Sequence, residues 1–90
     1  MARTVHKFRV FPEAALMLPV GARPVLFAEQ PAGSGVPLLW MEVNPGGTLE
    51  ERRFTVVGTG HFVPDGASHI ASCVASGGAL VWHLYEALRA

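Results

Sequence analysis

The stretch SHIASCVASGGALVWHLY, residues 68–85, decides the fold. Its two halves, 68–76 and 79–85, are short apolar runs whose length suits strands better than helices. Gly77-Gly78 lies between them, and two glycines between two such runs indicate a tight hairpin turn. A helix through this stretch would hold both glycines in its interior, at a cost of about 1 kcal/mol each. We therefore predict two antiparallel strands joined by a two-residue turn.

The rest of the chain follows the same pattern, because seven prolines and ten glycines divide it into short runs. Alternating side chains predict strands over 3–10, 24–30, 37–43 and 52–57, and the run 14–18 fits either an edge strand or one helical turn. The tail, 86–89, fits either a short helical turn or an irregular end. We predict one all-β domain over residues 1–90, an antiparallel sandwich or barrel of five to seven strands.

The composition predicts self-association. Half of the residues are hydrophobic and 16% are charged, whereas roughly 25% is usual for charged residues in soluble domains. One core of a 90-residue chain does not hold that much apolar surface. We expect the surplus to be buried between subunits of a homo-oligomer.

Charge and cysteine usage narrow the classes of partner. The formal net charge is zero and Arg52-Arg53 is the only basic pair, which disfavours nucleic acid as a partner. No apolar run reaches 18 residues, so we expect no membrane span and no signal peptide.

Cys73 is the single cysteine, which excludes an internal disulfide. Its apolar surroundings predict a small buried side chain rather than a nucleophile. We expect a cytoplasmic protein.

The segment Gly58-Thr59-Gly60-His61 is the first candidate site. Two glycines around a hydroxyl allow a tight bend whose backbone N–H groups can cradle an anion. The third glycine of a dinucleotide fingerprint is replaced by Val63, and no lysine of a phosphate-binding loop follows. These gaps favour a β-bulge or strand corner over a phosphate cradle.

Trp82 and His83 form the second candidate site. By alternation His83 shares a face with Val81 and Tyr85, and Trp82 lies on the opposite face. A histidine on a largely apolar strand needs a hydrogen-bond partner, which favours a structural role over acid/base work for His61 and His83. The four histidines are scattered without a metal-ligand spacing, so we predict neither a metal nor a cofactor.

Four segments together resemble a family of short uncharacterised proteins encoded by tailed phages and their actinobacterial hosts. The matching segments are 5–8, 39–40, 56–61 and 80–86, and the most specific parts are Gly58-Thr59-Gly60-His61 and Val81-Trp82-His83. The long loop from Pro31 to Pro37 departs from the family pattern, as does His6, where an aromatic residue is usual. The resemblance implies a phage setting and no particular activity.

These observations favour a non-enzymatic, homo-oligomeric binding or assembly protein without catalytic residues. The expected ligand-binding residues are Thr59, Gly60, His61, Trp82 and His83. A host protein or a small molecule is a further possible partner. The alternative is a small enzyme that uses His61 or His83 as general acid or base on a phosphorylated or nucleotide-like ligand.

Overall fold

A computed structural model describes residues 2–88, and it is all-β as predicted. It contains seven strands, which are β1 (Thr4–Arg9), β2 (Glu13–Pro19), β3 (Arg23–Glu29), β4 (Pro37–Val43), β5 (Leu49–Gly58), β6 (Ser68–Ala75) and β7 (Leu80–Glu86). The run 14–18 lies in β2, so its interpretation as a strand is confirmed. In the tail, for which a helical turn and an irregular end were both predicted, Glu86 ends β7, Ala87 and Leu88 are not helical, and Arg89 lies outside the described residues.

The strands form two antiparallel sheets, one with the order β1-β4-β3 and the other with the order β2-β5-β7-β6. Within residues 2–88 no strand of one sheet pairs with a strand of the other. The edge strands β3 and β6 approach each other but leave an open pocket, whose lining includes Leu26, Ile70 and Ser72. The architecture is therefore a sandwich rather than a closed barrel.

The core lies between the two sheets, where alternation along each strand places its apolar residues. In β4 the residues Leu39, Met41 and Val43 are buried, whereas Trp40 on the other face is half-buried. They pack with Phe54 and Leu84 of the second sheet in one cluster, which also contains Val10, Leu18, Ala22, Phe27 and Val56. The buried residues of β4 are spaced two apart, as alternation along a strand requires.

The turn between β6 and β7 is longer than predicted. The last strand pair is Ala75 with Leu80, so the turn has four residues instead of two. Ser76, Gly77 and Gly78 all have positive φ angles, of 52°, 64° and 99°. A two-residue turn would need Ser76 extended, but its backbone N–H instead donates to the carboxylate of Glu29 at 3.0 Å. A contact from β3 therefore sets the shape of this hairpin.

A buried ion pair joins β5 to the end of β7. Arg52 Nε lies 2.6 Å from Glu86 Oε2 and its Nη2 lies 2.8 Å from Oε1, so the pair is bidentate. Arg52 also donates to the carbonyl oxygen of Ala22, and Glu86 raises the pKa of its guanidinium. These contacts satisfy a charge that would otherwise be costly in the sandwich interior.

Candidate functional site

The connection from β5 to β6, residues 59–67, contains three of the candidate residues, Thr59, Gly60 and His61. Both strands are antiparallel to β7 and lie on either side of it, so they run parallel to each other. Gly58 pairs with Trp82 at one end of β7, and Ser68 pairs with Glu86 at the other. The connection therefore starts beside Trp82 and returns along the length of β7.

Gly58-Thr59-Gly60-His61 forms a reverse turn at the end of β5. The N–H of His61 donates to the carbonyl oxygen of Gly58 at 3.1 Å, and Gly60 has a φ of 90°. A turn with this φ at its third position favours glycine there, although a Cβ on Gly60 would meet nothing within 4 Å. The turn itself uses one of the N–H groups that an anion cradle would need. Anion binding here stays a prediction.

Four side chains form a hydrogen-bonded row, which we call the polar chain: Thr59, His83, Ser72 and His69. Thr59 Oγ1 lies 3.0 Å from His83 Nε2, and Ser72 Oγ lies 2.7 Å from His83 Nδ1. His69 Nε2 lies 2.9 Å from the same Ser72 oxygen. His83 is half-buried and the other three are exposed. The partner that His83 was predicted to need is therefore a pair of hydroxyl groups.

The polar chain can be protonated in two consistent ways. A serine hydroxyl has one hydrogen, so when Ser72 donates to one imidazole it can accept from the other. Reversing the direction of all three hydrogen bonds moves the proton of each imidazole to its other ring nitrogen, in both His69 and His83. The positions of the heavy atoms stay unchanged. A hydroxyl beside an imidazole is also the arrangement of a base-activated nucleophile. In this chain Thr59, and not a carboxylate, holds the second nitrogen of His83.

Trp82 and His61 lie apart from the polar chain. Trp82 packs on the core side of β7, where its Nε1 donates to the carbonyl oxygen of Gly35 at 2.8 Å and its ring meets Phe11 edge-on at 4.9 Å. A Cβ on Gly58 would lie 3.3 Å from the His61 ring and 3.5 Å from Trp82. The predicted set thus divides into Thr59 with His83 and His61 with Trp82, and its role in ligand binding stays a prediction.

The sequence did not indicate His69 and Ser72, because strict alternation places residues three apart on opposite faces of a strand. After a register shift between His69 and Ala71, Ser72 lies against His83 and His69 lies against Ser72. No sequence pattern marks that bulge. The only hint in the sequence is that β6, the hairpin partner of β7, also contains a histidine, His69.

Backbone N–H groups of two loops bind the carboxylate of Glu29, as they would bind an anionic ligand. Its Oε2 accepts the N–H groups of Gly35 at 2.9 Å and Ser76 at 3.0 Å. The backbone N–H groups of Ser76, Gly33 and Gly35 lower the pKa of Glu29. Glu29 therefore ties the loop after β3 to the turn between β6 and β7, beside the carbonyl that Trp82 binds.

A pocket of about 540 Å³, here called the end pocket, opens beside this loop. Lys7, Arg9 and Gln30 supply its polar groups, and Lys7 Nζ donates to Gln30 Oε1 at 2.7 Å. The apolar lining consists of Phe8, Val10, Phe11, Val36, Pro37 and Leu38. The end pocket thus has six apolar residues, two cationic side chains and no carboxylate in its lining.

Other chemistry is limited in the described part of the chain. Cys73 is half-buried, and burial raises the pKa of its thiol, which opposes a role as nucleophile. Among residues 2–88 no three histidine, cysteine or acidic side chains gather into a possible metal site. Over the same residues no helix has the length and apolar character needed to cross a membrane.

Comparison with known proteins places the chain in a family whose function is unknown. The model of the family described as Domain of unknown function (DUF7352) matches residues 1–90, and the chain belongs to this family. No curated protein and no solved structure matches the chain.

Proposed function

For this member of the DUF7352 family, we propose a non-enzymatic role as a self-associating binding or assembly protein. The observation that carries the proposal is the balance of apolar side chains. Among residues 2–88 fourteen large hydrophobic side chains are exposed, whereas twelve hydrophobic residues form the buried core. Single exposed apolar residues are ordinary on a protein surface, but a surplus of this size in a small domain favours burial between subunits.

The polar surface is consistent with this role. Ion pairs outside the core use exposed arginines, among them Arg3 and Arg23 with Glu42, and Arg53 with Glu51. Such pairs contribute little to stability, so they can rearrange at an interface at little cost. The free thiol of Cys73 supports a cytoplasmic setting. The resemblance to phage proteins extends the proposal to a host protein or small molecule as a further partner.

Light scattering across a concentration series tests the proposal. We expect a mass above the 9.6 kDa of one chain, approaching an integer multiple of it as the concentration rises. A mass of one chain at every concentration would overturn self-association.

A second candidate is a small histidine-dependent enzyme, favoured by the 2.7 Å distance between Ser72 Oγ and His83 Nδ1. His83 would act as general base on the Ser72 hydroxyl, and a phosphorylated or nucleotide-like ligand would lie against the turn at Gly58 to Gly60. We rank it second because the polar chain lies largely exposed and contains no carboxylate to orient His83. Turnover of nucleotides or phosphate monoesters that is lost in both Ser72→Ala and His83→Ala would support it. Absence of turnover in the unaltered chain would dismiss it for these substrates.

A further inference from the structure

We propose that Phe62 of one copy inserts into the end pocket of a second copy, and that the second copy returns the same contact. This inference rests on the proposed self-association and names the surface that carries it. It predicts a closed dimer with two identical Phe62 contacts.

Phe62 is the most exposed large hydrophobic side chain of the described residues, at 97%. It follows His61 in the connection after β5, and Val63 beside it is 40% exposed. Removing an exposed phenyl ring from water is favourable, so covering this side chain stabilises a complex. Projecting aromatic residues of this kind are typical anchors of interfaces.

The end pocket fits a phenyl ring in size and character. Its volume of about 540 Å³ lies within the roughly 300–1,000 Å³ of pockets that hold small apolar ligands. Phe8, Phe11 and Leu38 are among the apolar side chains that line it. A ring in this pocket would meet aromatic and aliphatic carbon beside the cationic side chains of Lys7 and Arg9.

Phe62 and the end pocket belong to the same end of the sandwich. Phe11 lines the pocket and packs against Trp82. Trp82 pairs across the sheet with Gly58, and the ring of His61 lies against Gly58. Phe62 directly follows His61 in the sequence. Because the projecting ring and the pocket share one end, a two-fold axis there can make both contacts at once. A closed dimer, rather than an open fibre, is the result.

The charges around the two surfaces are complementary. Lys7 and Arg9 line the end pocket, and Asp65 lies three residues after Phe62 in the same connection. Among residues 2–88 neither Arg9 nor Asp65 forms an ion pair within the chain. Insertion of Phe62 would bring an acidic side chain towards two cationic ones, which favours this orientation of the partner.

Sedimentation equilibrium of Phe62→Ser tests the contact, with Leu49→Ser as the matched control. Leu49 is also exposed, but it begins β5 and lies nine residues, or about 30 Å of strand, from Gly58. We expect Phe62→Ser to raise the dimer dissociation constant about thirtyfold, as hot-spot aromatic residues do, and Leu49→Ser to leave it unchanged. Circular dichroism of both variants checks that they fold.

Exchanging the charges of Arg9 and Asp65 tests the orientation of the two copies. We expect Arg9→Glu to weaken the dimer and the double variant Arg9→Glu with Asp65→Arg to restore it. If the unaltered chain dimerises and Phe62→Ser does not weaken it, the Phe62 contact is wrong and self-association stands. If the unaltered chain is a monomer, the proposed function and this inference both fail.

Discussion

Arg52 and Glu86, 34 residues apart in the sequence, form a two-pronged ion pair inside the sandwich, with N–O distances of 2.6 and 2.8 Å. Their side chains are only 9% and 11% exposed. The pair links the middle of β5 to the last residue of β7, on the core face of the larger sheet. Water cannot replace either partner there, so each charge depends on the other.

Removing one member of this pair is predicted to destabilise the fold strongly. We expect Glu86→Gln to lower the free energy of unfolding by about 3–5 kcal/mol, because the Arg52 charge stays buried without its partner. Urea denaturation measures the change. Glu51→Gln is the control, because Glu51 pairs with the neighbouring Arg53 at 3.1 Å in an exposed position and should change stability by less than about 1 kcal/mol. Equal effects of the two substitutions would contradict the buried character of the pair.

Glu29 predicts a pH dependence of stability. Its pKa is lowered from the ordinary value of 4.5 by the N–H groups of Ser76, Gly33 and Gly35. A carboxyl group whose pKa is lower in the folded chain than in the unfolded chain stabilises the fold when it is ionised. This stabilisation is complete at pH values above the unfolded-state pKa, and it is lost as the pH falls through the folded-state pKa. We expect Glu29→Gln to lower the urea midpoint at pH 7, and the two midpoints to converge as the pH falls below 4.5. A constant difference across this range would show that the carboxylate charge is not involved.

Two glycines of the loop after β3 offer a matched comparison. Gly33 and Gly35 both have positive φ angles, of 83° and 78°. A Cβ on Gly33 meets nothing within 4 Å, whereas one on Gly35 would lie 2.9 Å from Ser76 Oγ. We expect Gly35→Ala to destabilise the protein more than Gly33→Ala, because its Cβ forces Ser76 Oγ to move, and Ser76→Ala to reduce that difference. Thermal unfolding of the variants, alone and with Ser76→Ala, measures this. Equal losses for the two glycine variants would mean that the contact with Ser76 is unimportant.

The polar chain predicts that Ser72 influences the tautomer of His83. Nitrogen-15 chemical shifts of the imidazole distinguish the tautomers. We expect the proportion of the two His83 tautomers to change in Ser72→Ala, because Nδ1 then loses its partner while Nε2 keeps Thr59. Ala71→Ser adds a hydroxyl to the same strand and serves as control. An unchanged proportion in Ser72→Ala would show that the hydrogen bond from Ser72 does not influence the ring.

The sequence predicted those features that depend on local alternation. The strands over 37–43 and 52–57 and the opposite faces of Trp82 and His83 follow from a period of two residues. The polar chain could not be predicted, because the bulge after His69 changes that period. The four-residue turn depends on Glu29, 47 residues from Ser76, and local turn preferences contain no such information. Composition indicated surplus apolar surface, and three-dimensional structure was needed to locate Phe62 at the same end as a pocket.

An isotope-filtered NMR experiment tests the central claim most directly. A mixture of carbon-13-labelled and unlabelled chains reports only contacts between copies. We predict cross-peaks between the Phe62 ring of one copy and the methyl groups of Val36 and Leu38 in the other, because those residues line the end pocket. Cross-peaks between copies that exclude Phe62 would contradict the proposed contact, and no cross-peak between copies at millimolar concentration would contradict self-association itself.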